Sequence, residues 1–178
     1  GGDSGLFATA PSAVINSNNN TASLVFVTAP DANGRAIFET VLTDIPTDGT
    51  LSESTSPRTF TRLINAVNDP PTFDRAPNPV IVDEDSGLYF AVWATNISPG
   101  PEDESDQTVQ FDVSIPSGAE DLFSQLPEVA DDGSLRFIPA RDANGTVDLM
   151  VTATDSDGAS GNPDLLRIQI NPVNDPPV

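Results

Sequence analysis

The chain is predicted to be all-β, built as tandem β-sandwiches, and three observations carry that prediction. One eight-residue phrase occurs twice, as Ile64-Asn65-Ala66-Val67-Asn68-Asp69-Pro70-Pro71 and as Ile170-Asn171-Pro172-Val173-Asn174-Asp175-Pro176-Pro177, 106 residues apart. That spacing is the size of one sandwich unit, so 178 residues read as repeated units rather than one large fold. Apolar and polar residues alternate in Thr108–Ile115 and, Met150 apart, in Thr146–Ala153, the period of a strand with one buried face. Short apolar runs are separated by Gly, Pro, Asn and Asp, and no stretch carries the period of a long helix.

Residues 72–178 read as one complete unit. The strands run in order: Pro79–Val82, Gly87–Trp93, Gln107–Ile115, a short strand from Leu122-Phe123, Ser134–Ile138, Thr146–Ala153 and Leu166–Ile170. Turns fall at Asp131-Asp132-Gly133, Asp142-Ala143-Asn144-Gly145 and Asp155-Ser156-Asp157-Gly158, where Asp, Asn and Gly favour tight reversals. Seven strands with turns every 8–12 residues is the pattern of an immunoglobulin-like sandwich. Tyr89, Ala91 and Trp93 share one face of their strand; Leu88, Phe90 and Val92 share the other. Packing between sheets is the expectation for Tyr89, Phe90 and Trp93, with sugar stacking by an exposed Trp93 as the rival.

Residues 1–71 answer only the later half of that unit. Leu6-Phe7 matches Leu122-Phe123, Leu24–Val27 matches Leu135–Ile138, and Asp31-Ala32-Asn33-Gly34 matches Asp142–Gly145. Ala36–Thr43 then matches Val147–Thr154, and Asp44 matches Asp155. Asn16–Asn20 stands as a longer turn in place of Asp131-Asp132-Gly133. The strands of 79–115 have no counterpart, and half a sandwich cannot cover its own core face. The expectation is that Gly1 is not the native start, or that another chain supplies the strands.

The chain holds 27 Asp and Glu against seven basic residues, all Arg, for a net charge of −20. Such a field repels nucleic acid and anionic membranes. With no Cys there are no disulfides and no thiolate chemistry. No run of apolar residues reaches a membrane-spanning length. His and Lys are also absent, leaving scattered carboxylate pairs as the one route to catalysis. The expectation is a chain without enzymatic activity.

The order Gly133, Leu135, then Asp142-Ala143-Asn144-Gly145, then Val151-Thr152-Ala153-Thr154-Asp155, then Val173-Asn174-Asp175-Pro176-Pro177 resembles the cadherin-like repeat. More closely, it resembles the bacterial-type cadherin-like/Ig-like tandem repeats of large surface adhesins. The likeness covers 72–178 fully and 6–71 as a partial copy. It implies Greek-key sandwiches strung end to end, 1–71 an incomplete first repeat and 72–178 a complete second, with Ca²⁺ at the joints. Cadherin linkers read Asp-x-Asn-Asp. Asn68-Asp69 and Asn174-Asp175 match the last two positions, while Ala66 and Pro172 replace the first. Arg141-Asp142-Ala143-Asn144 sits where cadherins carry Asp-Arg-Glu.

Ca²⁺ takes six to eight oxygens, several from carboxylates. At the first joint the candidates are Asn68 and Asp69, the acidic triplet Asp83-Glu84-Asp85, and Asp31 and Asp44 from the preceding unit. The plain alternative is a capped turn before Pro70 and a solvated acidic loop. A second candidate set is Asp142, Asp155, Asp157, Asn174 and Asp175; Asp155-Ser156-Asp157-Gly158 also reads as an Asx-turn. Glu102–Asp106 reads as a mobile, hydrated loop, with weak metal or partner binding as the alternative. Asn19, Asn96 and Asn144 head glycosylation sequons, relevant only in a secreted eukaryotic protein.

The expected role is a structural and adhesive module of a long extracellular or cell-surface protein, stiffened by Ca²⁺ at inter-repeat joints. Its partners would be neighbouring repeats and, in a filament, lateral copies of itself. The alternatives are a carbohydrate- or surface-binding module taking a surface glycan, and a non-catalytic spacer of a secreted hydrolase.

Overall fold

The computed structural model describes residues 4–19 and 21–175. Residues 20, 176 and 177, in the first sequon and the second Pro-Pro pair, lie outside them. The fold is all-β, and the chain divides into two compact units, Gly1–Val67 and Asn68–Val178. No helix among the described residues is long and apolar enough to cross a membrane.

The first unit holds β1 (Phe7–Asn16), β2 (Thr21–Thr28), β3 (Gly34–Thr40) and β4 (Arg58–Ile64). They form two antiparallel pairs, β1 with β2 and β3 with β4. The rings of Phe7, Phe26, Phe38 and Phe60 gather between them, with neighbouring centroids 5.2–6.4 Å apart.

The second unit is a β-sandwich. Its strands are β5 (Thr72–Arg75), β6 (Val80–Asp83), β7 (Tyr89–Val92), β8 (Ala94–Ser98), β9 (Val109–Ser114), β10 (Phe123–Val129), β11 (Ser134–Pro139), β12 (Gly145–Asp155) and β13 (Asp164–Asn171). One sheet has the order β10-β11-β7, the other β6-β13-β12-β9, and β5 pairs with β8. Alternate residues of β11, β12 and β13 point inward: Leu135, Phe137, Leu149, Val151, Leu166 and Ile168 are fully buried. Each such side chain contributes about 1.5–3 kcal/mol relative to exposure. Phe73 packs against Trp93 and Phe111, with ring centroids 5.7 and 5.2 Å away.

Two details of the β7 region depart from the sequence reading. The expected strand Gly87–Trp93 is broken at its end. The N–H groups of Trp93 and Ala94 both donate to the Gly133 carbonyl, at 2.8 and 3.0 Å, and the chain passes into β8. Gly133 is required there: its φ is +81°, and a Cβ would lie 2.1 Å from the Ala94 carbonyl oxygen. Phe90, expected in the core, is 64% exposed. β7 lies at the edge of its sheet, and only the Tyr89 and Ala91 face meets the interior. Trp93 is 2% exposed, which removes it as a sugar-stacking surface.

The first unit repeats the second in strand register. Phe7↔Thr28, Thr9↔Val27 and Ser12↔Val25 correspond to Phe123↔Pro139, Gln125↔Ile138 and Glu128↔Arg136, with irregularities at the same two places. Gly34↔Ile64, Ala36↔Arg62 and Phe38↔Phe60 correspond to Gly145↔Ile170, Val147↔Ile168 and Leu149↔Leu166. A 3-10 turn, Ser4–Leu6 or Glu120–Leu122, precedes each first strand. The turn residues Asp31 and Asp142 share φ +56°. Even a hydroxyl pair recurs, Thr43 with Ser54 at 2.7 Å and Thr154 with Ser160 at 2.9 Å. The first unit's loop before that serine is five residues longer.

Candidate functional site

Two networks of oxygen-bearing side chains form within the second unit, at the two ends of β12. Asp155, at the end of β12, is eleven residues along extended chain from Asn144, just before its start, a span of roughly 36 Å at about 3.3 Å per residue.

At the Asp155 end, the Asn68 amide donates to both carboxylate oxygens of Asp155 at 3.2 Å. The Gln107 amide donates to Asn68 Oδ1 at 2.8 Å and to Asp157 at 3.4 Å. The Asp69 N–H donates to Glu104 Oε1 at 2.9 Å. Asp155 Oδ1 also accepts the N–H groups of Asp157 and Ala159. Burial opposes ionisation of Asp155, but the bonds from Asn68 and from the Ala159, Asp157 and Gly158 backbone outweigh it. Its carboxyl therefore lies below the usual range.

Glu104 is the residue that sequence reasoning missed. It was expected in a mobile acidic loop, yet it is 5% exposed. It sits in a 3-10 turn, Glu102–Glu104. Gly100 leaves the room: a Cβ there would come within 1.8 Å of Glu104 Oε2. Buried Oε2 has no hydrogen-bond partner, and neither does Oε1 of Gln107. An unpaired buried carboxylate oxygen is costly, and an ion or a water is the usual explanation. Nothing in the run Glu102–Asp106 marks Glu104 apart from its neighbours; the close Pro99-Gly100-Pro101 bend was the available signal.

At the other end, Glu84 is 4% exposed. It accepts the Val173 N–H at 2.8 Å and the Asn144 amide at 3.2 Å. Its own N–H donates to the Asn171 carbonyl, and the Asn171 amide reaches Asp83. Asp85, Asp142 and Asp175 each place a carboxylate oxygen within 4.8 Å of the others. Partial desolvation, then the charges of Asp142, Asp85 and Glu84, push the Asp175 carboxyl up. Such mutual repulsion is what a bound cation relieves.

The structure thus sorts the predicted residues differently from their order in the sequence. Asn68 and Asp69 were expected beside Asp83-Glu84-Asp85. Within the second unit the triplet instead joins Asp142 and Asp175. The cause is the parallel pairing of β6 with β13, in which Asp83 lies opposite Asn171. In the first unit, Asp44 accepts the Glu53 N–H and closes its own loop, while Asp31 occupies its left-handed turn. Asn174 is exposed beside Asp175. Of the sequon asparagines, Asn144 is committed to Glu84, Asn96 donates to Asp74 at 2.8 Å, and Asn19 accepts from Thr21.

Both networks offer only carboxylate, amide and backbone oxygens. That hard, flexible donor set fits Ca²⁺ and gives no thiolate or imidazole for Zn²⁺.

No protein-family profile matches the chain, and no curated protein matches it in sequence. Among solved structures, it is similar to the crystal structure of chicken VE-cadherin EC1-2. The identity is 16% over 91% of this chain and 78% of that one, with a TM-score of 0.37. Similarity at that level identifies no relationship by itself.

Proposed function

We propose that the chain is a structural, adhesive repeat module of an extracellular or cell-surface protein, with Ca²⁺ sites at the ends of its sandwich units that stiffen the joints between repeats. The observation that carries the metal reading is the buried, unpartnered Oε2 of Glu104, on the carboxylate that holds Asp69. The gathering of Asp85, Asp142 and Asp175 at the other end supports it. Asn68, Asp69, Glu104, Asp155 and Asp157 are the proposed ligands at one end, with Glu84, Asp85, Asp142 and Asp175 at the other. Ca²⁺ would supply positive charge where carboxylates otherwise repel, and so hold loops and linker in one arrangement.

The recurring Asn-Asp-Pro-Pro phrase supports an array, since prolines without N–H donors make stiff, extended exits. Small-angle scattering with Ca²⁺ and with chelator tests the mechanism: chelation is expected to shorten the maximum dimension and broaden its distribution. An unchanged profile would sink the stiffening role. Calorimetric titration with Ca²⁺ tests the sites, and E104Q is expected to weaken the Asp155-end site at least tenfold. Equal affinity in E104Q would remove Glu104 from the ligand set.

A further inference from the structure

The first unit has three strand edges that its counterpart does not leave open. In the second unit, β11 pairs on its outer side with β7, β12 with β9, and β13 with β6. The equivalent strands β2, β3 and β4 each have one partner among the described residues. Burial follows the edges. Leu166 and Ala153 are fully buried, whereas Phe60 and Leu42, at the same positions, are 39% and 67% exposed.

We infer that the first unit is a receptor for β-strands, and that its occupant is a segment patterned like residues 72–119. The register match makes this a specific claim. Each free edge has a defined partner in the second unit at a defined residue pairing: Leu24 takes the place of Leu135 opposite Ala91, and Arg62 that of Ile168 opposite Val80. Charge points the same way. The β3–β4 pair carries three Arg and one Glu, in a chain that is otherwise strongly acidic. Residues 72–119 carry nine acids and one Arg. Strand addition then supplies backbone hydrogen bonds along the edges and an apolar cover for the four Phe rings. The inference stands on the repeat register and does not depend on metal.

The test is a chimera in which a copy of 72–119 precedes Ser4 of the full chain, followed by amide hydrogen exchange in chelator. Expected is at least a tenfold slowing at β2, β3 and β4, with the second unit unchanged as internal reference. Because Arg62 stands where Ile168 is buried, an R62I chimera is measured alongside. A chimera whose inserted segment has the alternation scrambled should give no protection. If neither the plain nor the R62I chimera slows exchange, the inference is overturned. It is equally overturned if the parent chain dimerises by light scattering and already protects these edges, since a second copy would then be the occupant.

Discussion

The two units contain the same pair of hairpins in the same register, and only one of them has a buried core. β10–β13 and β1–β4 share bulges, turns, a 3-10 entrance and a hydroxyl pair. Yet Phe137 and Leu149 are inaccessible, while their counterparts Phe26 and Phe38 remain partly open. Local chemistry therefore sets register: Asp at positive φ and Gly at φ +136° or +156° make the same turn in both units. Burial is set by strands more distant in sequence. A hairpin can be correct in every pairing and still gain little hydrophobic stability until something covers it.

Substitution at matched core positions is the strongest way to break this comparison. Leu149→Ala is expected to cost the second unit about 2–5 kcal/mol. Phe38→Ala should cost the first unit well under half as much, read from urea unfolding followed separately in each unit by hydrogen exchange. Equal losses would show that the first unit is as well packed as the second. Next in size is a glycine pair. Gly133→Ala meets both a positive φ and the Ala94 carbonyl, and should cost about 1–3 kcal/mol. Gly49→Ala has a positive φ and open space, so about 1 kcal/mol or less is expected.

Acid should separate the units more gently. The Asp155 carboxyl lies below its ordinary value, so its contribution is present above the unfolded pKa and is lost as pH falls through the folded one. The Asp175 carboxyl lies above its ordinary value, so its ionisation opposes folding as pH rises from the unfolded pKa through the folded one. Thermal scans of the metal-free chain between pH 2 and 6 should show D155N flattening the acid side and D175N removing the opposing slope. The smallest effect is expected at a surface pair. Arg167 holds Asp148 with contacts of 2.6 and 2.7 Å, whereas Ile37 occupies the matching position of the first unit. D148I should lower the melting temperature of the second unit slightly at low salt and not at high salt.

Much of this was legible in the sequence, for particular reasons. The hairpins announced themselves through Asp-Ala-Asn-Gly and through the alternation in β9 and, Met150 apart, in β12. Trp93 belonged inside on its parity with Tyr89. Parity could not say that β7 sits at a sheet edge, so the exposure of Phe90 and Val92 was hidden. Nor could it give the parallel pairing of β6 with β13, made across some 88 residues, which carries Asp83-Glu84-Asp85 to Asp142 and Asp175. The carboxylate types were readable; their partners were a matter of topology. Glu104 is the extreme case, one acid of four in a short run, selected by a bend around Gly100.

The β6–β13 pairing has a mechanical side as well. β6 is near the start of its unit and β13 near the end, and the two run parallel. Tension applied along a string of such units would pull β6 backward and β13 forward, each sliding against the other. Their hydrogen bonds would be loaded together in shear, whereas an antiparallel terminal pair would peel open one bond at a time. A unit laced in this way would resist pulling along that axis more than one whose terminal strands peel apart.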